Sequence, residues 1–321
     1  MDESEILEVI RACDLEVERL QQRWPHGVSF ESRTDAPVYK AYPHYFLSAF
    51  PDLNEYDVRR LSIALRMMAD AVRLTDVIID EVPATGLVSR EMSHQALQFE
   101  AYHILYGLFQ PQAAFWERFR TYFAQYARAC ILESVIKAQG GMQLYDYSDI
   151  LAIALGKAAL AKSVAAGLVE LAGDDSLLDP LSQSIDHLQL AVQLCDDVHD
   201  WRRDLRLGLP STFLQPVLAE LAERGIKIAA DADADWLAKY LYYGGHVEAA
   251  LERALQEFDK ALSAVETLPL PAWRERILRG RRSCEELRSD ITRLTKENVL
   301  RARARSVDSL IPGIGTSLKR A

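Results

Sequence analysis

The segment QLCDDVHDWRRDLRLGLPSTF, residues 193–213, sets Asp196, Asp197, Asp200 and Asp204 at the end of a stretch whose preceding turns are mostly apolar. On a helix, Asp196, Asp200 and Asp204 fall four residues apart and share one face, about 6 Å from each other along the axis. Carboxylates placed like this repel one another. A solvated face, salt-bridged by His199, Arg202 and Arg203, is the ordinary alternative, and it accounts for Arg202 and Arg206. An exposed helix end, however, alternates its charge signs more readily than this one does. Three stacked acids behind two apolar turns need a counterion, and a hard divalent cation supplies it. Mg²⁺ takes oxygen ligands, keeps several waters and is typically held by one or two carboxylates together with substrate phosphates.

A second acidic pair lies upstream. RMMADAVRLTDVIIDEV places Asp76 and Asp80 four residues apart on one helical face, with Arg73 three residues before Asp76. Alone the pair is weak, because an Arg73–Asp76 surface ion pair is the commoner outcome. Val77, Ile78 and Ile79 between the two acids are apolar, so the helix is expected to be buried on its other sides and to turn its acids into a cleft. Two acidic helices facing one another form a clamp for a diphosphate. Lys157 lies in DILAIALGKAALAKSVAAGLVELAG, residues 149–173, a stretch apolar nearly all round and rich in Gly and Ala, as a central helix would be. A lone lysine there would ordinarily extend its ammonium to solvent from a helix end.

The elements that must position these residues are helices throughout. Ile6, Val9, Ile10, Cys13 and Val17 recur at three and four, as do Val58, Leu61, Leu65 and Met68, and strand alternation is nowhere sustained. Periodicity predicts further helices over roughly 89–108, 112–138, 147–173, 178–206, 236–266 and 271–304. QPQ at 110–112, QGG at 139–141, AGDDS at 172–176, GLP at 208–210 and LPLP at 268–271 separate them. With no long linker or internal repeat, residues 1–321 are expected to form a single all-α domain of about ten helices.

Composition narrows the partners. A hydrophobic content of 49% supports a real core, and a net charge of −10 without a strong basic block excludes a nucleic-acid partner for the body of the chain. Cys13, Cys130, Cys195 and Cys284 lie far apart with no CxxC or CxxH spacing, which argues against a zinc site or disulfide framework and for reduced thiols in a cytoplasmic protein. The acidic start MDESEILEVIRACDLE has no signal-peptide pattern, and no uninterrupted apolar run reaches about 18 residues, so no transmembrane segment is expected. The end turns basic at Arg301, Arg303, Arg305, Lys319 and Arg320. It fits a lid over a diphosphate, a peripheral membrane contact or a solvated tail, and residues 305–321 are read as a flexible tail or lid.

In their order and spacing these residues resemble the class I isoprenoid diphosphate enzymes over roughly residues 60–215. Asp196, Asp197 and Asp200 look like the second DDxxD of polyprenyl diphosphate synthases. Equally, Gln193, Asp196, Asp200 and Asp204 are similar to the QxxNxxxDxxxD of squalene and phytoene synthases, with Asp in place of Asn. RLTDVIIDE follows the RxxDxxxDE pattern of the latter group at Arg73, Asp76, Asp80 and Glu81. Lys157, in GKAAL and 39 residues before Asp196, resembles the lysine of the polyprenyl synthase KTA element. The chain also departs from these patterns. The arginine pair after the first motif is absent, DEVPATGLVSREMS offering only Arg90, and the N-terminal GKxxR element that helps hold isopentenyl diphosphate is missing. Both absences point away from chain elongation. Gln189 stands where squalene and phytoene synthases have Gly, Arg203 where they often have Glu, and the NSE signature of bacterial terpene cyclases is not found in its usual form.

The resemblance implies a class I terpenoid synthase-like helical bundle around a deep central cavity. It implies a Mg²⁺-dependent terpene synthase, or cyclase, that converts a linear prenyl diphosphate of fifteen to twenty carbons or longer into a terpene hydrocarbon or alcohol plus diphosphate. A head-to-head prenyltransferase of the squalene and phytoene synthase type is the alternative. Asp76, Asp80, Asp196, Asp197, Asp200 and Asp204 would hold metal, three Mg²⁺ ions with the bound diphosphate, and Arg73, Lys157 and Gln193 would bind the diphosphate itself. Asp200, central in its stack, is the most sensitive expected position. A peripheral membrane contact and a homodimer stay open. A carbocation also needs aromatic faces that are not nucleophiles. Tyr102, Tyr106, Phe109, Phe115, Phe119, Tyr122, Phe123 and Tyr126 offer them on two consecutive helices, two or three of them being expected to face substrate, with Tyr145 and Tyr147 as candidates to cap the cavity.

Overall fold

Apolar residues at helical spacing do build helices along the chain. A computed structural model describes residues 3–30, 42–80, 86–139, 144–226, 228 and 234–310; the side chains of residues 3, 4, 79, 80 and 302–310 lie outside that description. Among the described residues there are eleven α-helices and no strand. They are α1 (Glu3–Gln21), α2 (Glu55–Asp80), α3 (Leu87–Leu108), α4 (Ala114–Gln139), α5 (Tyr147–Ala158), α6 (Ser163–Ala172), α7 (Leu178–Leu207), α8 (Leu214–Glu223), α9 (Ala234–Tyr243), α10 (His246–Ser263) and α11 (Pro271–Leu310). Short 3₁₀ turns occupy Tyr42–Ala49, Ala159–Lys162 and Asp175–Leu177. The basic residues Arg303, Arg305, Lys319 and Arg320 of the expected tail or lid fall outside the described side chains.

Three departures from the expected segments have local causes. The predicted helix over 147–173 is two helices parted by the turn at Ala159–Lys162. Gly156 and Gly167 flank that turn, each packed where a side chain would collide. A Cβ on Gly156 would lie 2.7 Å from Ala129 Cβ and 3.0 Å from the Gln125 carbonyl oxygen, and one on Gly167 would lie 2.8 Å from both Leu61 Cδ atoms. The segment is thus held against α4 at one end and α2 at the other, and the backbone tightens to 3₁₀ between them. The predicted helix over 236–266 is α9 and α10, broken at Gly244–Gly245, where Gly245 takes a φ of +79° open to glycine at little cost. Finally, α8 is a helix that periodicity did not single out.

One contiguous core runs from Cys13 on α1 to Cys284 on α11. Helix α2 packs along α3, α7 along α10 and α4 along α5, and these contacts fix the helices that carry the charged residues. Trp273 of α11 is fully buried against Phe46 and Tyr42, and its indole N–H donates to Ser184 Oγ at 2.8 Å, so its polar atom is satisfied. Ser184 in turn donates to the Ala261 carbonyl at 2.7 Å, tying α7 to the end of α10. By length and composition Tyr147–Ala172 is apolar enough to cross a membrane, with mean hydropathy 1.5, and half of that window is buried inside the fold.

Candidate functional site

The face of α2 that recurs at three and four carries Leu65, Met68, Ala69, Val72, Arg73 and Asp76 into one cavity of about 350 Å³. Helix α7 contributes Gln189, Val192, Gln193 and Asp196 to the same cavity. Ala154, Lys157, Ala158, Leu160, Ala161 and Val164 line it from α5, the 3₁₀ turn and α6, with Phe119 of α4 and Tyr42 completing the lining. On α2 the lining is apolar from Leu65 to Val72 and charged at Arg73 and Asp76. The rise per residue puts about 16 Å between Leu65 and Asp76. Both expected motifs therefore reach one space, charged at one end and greasy along its length, with a volume inside the range of small-molecule sites.

Lys157 stands between two carboxylates. Its ammonium lies 3.2 Å from Asp76 Oδ1 and 2.9 Å from Glu133 Oε2. Burial disfavours its charge, but Asp76 and Glu133 outweigh burial and hold the lysine above its ordinary range. It is cationic at any physiological pH. Lys157, expected at the diphosphate, lines the cavity half-buried and ion-paired rather than extending to solvent as a lone lysine ordinarily would. Glu133 was not anticipated; it is 8% exposed on α4, and its other oxygen lies 3.3 Å from Lys137 Nζ. The close approach at Gly156 brings α5 against Ala129, one turn before Glu133, and so sets Lys157 beside that carboxylate.

The four aspartates of the second motif have separate environments. Asp196 is solvent-accessible at the cavity rim; partial burial and the neighbouring Asp197 and Asp200 carboxylates raise its pKa. Asp200 is exposed, 3.7 Å from Arg203. Asp204 is buried, and desolvation with the charges of Asp197 and Asp200 pushes it up to about 7. Asp197 departs from its expected place as a metal ligand. It is 4% exposed, and both oxygens are engaged: Gln193 Nε2 donates to Oδ1 at 2.6 Å, and the Thr212 N–H and hydroxyl donate to Oδ2, each at 2.5 Å. The residue lies about 100° around the helix from Asp196, which turns it toward the α7–α8 connection. Gln193 accordingly serves two sides, lining the cavity and bonding Asp197.

The donor chemistry fits a divalent cation shared with a phosphate. Asp196 and Asp204 carry carboxylates whose charge burial and like-charged neighbours disfavour, and a bound cation reverses that penalty. Among the described residues no three His, Cys, Asp or Glu side chains form a closed metal site. Such a cage is not required where phosphate oxygens and water complete the coordination. The Asp80 and Glu81 side chains lie outside the described residues. Of the eight Tyr and Phe residues from Tyr102 to Tyr126, two or three of which were expected to face substrate, Phe119 lines the cavity; Tyr42, to which no role was given, joins it. Tyr106 is exposed and stacked on Trp116, while Phe109 and Phe115 stack on each other in the core. Tyr145 and Tyr147 are not part of the lining: the Tyr145 N–H donates to Gln215, and the Tyr147 hydroxyl accepts from Arg253.

No protein-family model matches the sequence, and no curated protein sequence matches it. Solved structures do resemble it. A polyprenyl synthase from Caulobacter crescentus CB15, complexed with calcium and isoprenyl diphosphate, is 21% identical over 85% of this chain and 94% of its own, with a TM-score of 0.61. The octaprenyl pyrophosphate synthase of Helicobacter pylori is 14% identical over 87% of this chain and 99% of its own, with a TM-score of 0.67. A geranylgeranyl pyrophosphate synthase from Corynebacterium glutamicum, complexed with isoprenyl diphosphate and magnesium, is 16% identical over 88% and 99%, again with a TM-score of 0.67. The chain has the all-α fold of the class I isoprenoid synthases.

Proposed function

We propose that the chain is a Mg²⁺-dependent enzyme of prenyl diphosphates, and specifically a terpene synthase that ionises one linear substrate of farnesyl to geranylgeranyl size and releases a hydrocarbon or alcohol. The observation that carries this is the convergence of Arg73 and Asp76, Gln193 and Asp196, and Lys157 on one cavity whose remaining lining is largely apolar. Asp76, Asp196, Asp200 and Asp204, with Asp80, would hold the metal, which supplies Lewis-acid stabilisation of the departing diphosphate. Arg73 and Lys157 hold fixed positive charge where the leaving group gains negative charge. Leu65, Met68, Val72, Leu160 and Val164 keep water from the cation that remains, and the aromatic rings of Phe119 and Tyr42 offer it a negative quadrupole. The volume, at the lower end of the range for small-molecule sites, suits one prenyl chain better than two side by side.

Prenyl transfer is the second reading, favoured by the likeness in fold to polyprenyl and geranylgeranyl synthases and, for head-to-head coupling, by Gln193 in the cavity. One experiment separates them. The purified protein is incubated with Mg²⁺ and geranyl, farnesyl, geranylgeranyl or geranylfarnesyl diphosphate singly, then with isopentenyl diphosphate added, and products are weighed by mass spectrometry. A neutral product with the carbon number of its substrate supports the synthase. Doubling indicates head-to-head coupling, and growth by one isoprene unit only with isopentenyl diphosphate indicates elongation. Release of diphosphate from none of them rules out the whole class.

A further inference from the structure

Glu133 belongs to none of the motifs and lies in an unremarkable helical stretch, CILESVIK, yet it holds the cavity's lysine. Burying a carboxylate is costly unless it is paired, and here Lys157 at 2.9 Å and Lys137 at 3.3 Å pair it. The Lys157 ammonium has three donors and divides them between Glu133 and Asp76, the latter contact being the longer at 3.2 Å. Asp76 is the first-motif carboxylate on which a cation would depend. A lysine paired to Asp76 alone would occupy that carboxylate with its own charge.

We propose that Glu133 is a positioning residue that shares the Lys157 ammonium with Asp76, so that this carboxylate is not neutralised by the lysine alone and can serve a divalent cation while the ammonium stays at the cavity for the diphosphate. The inference rests on the prenyl diphosphate reading. With Glu133 neutralised, Asp76 is the remaining carboxylate of the two that bind Lys157, and the ammonium competes with Mg²⁺ for it. The Mg²⁺ requirement then rises, through Lys157 and only through Lys157. A purely structural role for Glu133 lowers stability equally with and without ligand and does not depend on the lysine's presence.

The test is thermal unfolding of the full chain across a Mg²⁺ titration at fixed inorganic pyrophosphate, for wild type, Glu133→Gln, Lys157→Met and the double variant. Wild type is expected to be stabilised by Mg²⁺ and pyrophosphate together, as mass action requires. Glu133→Gln should need on the order of tenfold more Mg²⁺ for the same rise, the scale of one charge-assisted contact. In the Lys157→Met background the same substitution should leave the Mg²⁺ midpoint unmoved, which the double-mutant cycle reads directly. Glu133→Asp, which keeps the charge but withdraws it by one methylene, should shift the midpoint in the same direction, and it carries the test if Glu133→Gln does not fold. An unchanged midpoint in both single Glu133 variants, or an equal shift with and without Lys157, overturns the inference while wild-type stabilisation leaves the functional reading standing. A wild-type protein that Mg²⁺ and pyrophosphate do not stabilise overturns the reading itself and this inference with it.

Discussion

Replacing Asp204 with Asn should make the metal-free protein more stable, and increasingly so as pH rises from about 4 to about 7. Asp204 is buried next to the charges of Asp197 and Asp200, and its pKa rises from an ordinary 3.8 to about 7 in the fold. Between those two values the unfolded chain has released the proton and the folded one still holds it. Stability therefore falls as pH rises through that interval and is level above it. At about 1.4 kcal/mol per pH unit, the interval sets an upper limit of about 4 kcal/mol, which relaxation and water entry reduce to roughly 2–4 kcal/mol. Asn keeps the shape of the protonated acid and removes the titration. The variant should exceed wild type by only about 2 °C in Tm at pH 4.5, where about 1 kcal/mol is already lost, and by roughly 4–8 °C above pH 7.5, at about 2 °C per kcal/mol for a chain of this size. The assay is unfolding in EDTA from pH 4.5 to 8.5, the difference between the two proteins being the quantity of interest because shared titrations cancel in it. Mg²⁺ with pyrophosphate should then raise wild type by more than the variant. A difference that does not change with pH, or a variant less stable at pH 8, would show that Asp204 carries no such penalty.

Asp196→Asn should lower turnover by at least about a hundredfold, because its carboxylate is the member of the second motif that lines the cavity, and Asp200→Asn should cost less than its central place in the stack implies; steady-state kinetics at saturating Mg²⁺ checks the order. Thr212→Val removes a hydroxyl donor to the buried Asp197 and should destabilise the protein by about 1–3 kcal/mol in denaturant unfolding. That loss should be larger at pH 8 than at pH 5, since the Thr212 hydrogen bonds favour the charged carboxylate against the burial that raises its pKa. Gly156→Ala puts a methyl 2.7 Å from Ala129 Cβ; overpacking of about 1–3 kcal/mol should exceed the roughly 1 kcal/mol that Ala gains in a helix, so the melting temperature falls. The same variant should raise the Mg²⁺ requirement by moving Lys157 from Glu133.

Much of this was legible because helical periodicity reports on one face at a time. The expected 178–206 matches α7 at Leu178–Leu207, the helix that carries the i, i+4, i+8 aspartates. The motif spacing also brought Arg73, Asp76, Lys157, Gln193 and Asp196 to one cavity. What stayed hidden depends on neighbours distant in sequence. Glu133 looks like any surface acid in its own helix, and only α5 lying against α4 turns it toward Lys157. Asp197 is adjacent to Asp196 in sequence, but its partner Thr212 lies beyond the Gly208 cap of α7, so its role follows from a return of the chain that periodicity does not describe. Tyr42 enters the cavity from a 3₁₀ turn ahead of α2. The Gly244–Gly245 break carried its own signal, two successive glycines, and was overridden by apolar residues continuing on either side.

Gly156 and Gly167 act on the cavity like the fixed piers of a short span. Gly156 is pressed against Ala129 and the Gln125 carbonyl of α4 and Gly167 against the Leu61 side chain of α2, so the backbone from Lys157 to Val164 is held at both ends. Leu160, Ala161 and Val164 face the cavity from within this span. Their sizes can therefore change without dragging α4 or α2 along. A lineage or an engineer can enlarge or shrink the chamber here by side-chain exchange alone, at a cost confined to local packing. Tolerance of this kind separates the evolution of what the chamber accepts from the upkeep of the fold around it. In a library randomised at these three positions, folded variants should be common and their product spectra diverse. The same library at the two glycines should lower stability, more at Gly156, where a Cβ meets Ala129 Cβ and a backbone carbonyl, than at Gly167, where it meets the Leu61 side chain.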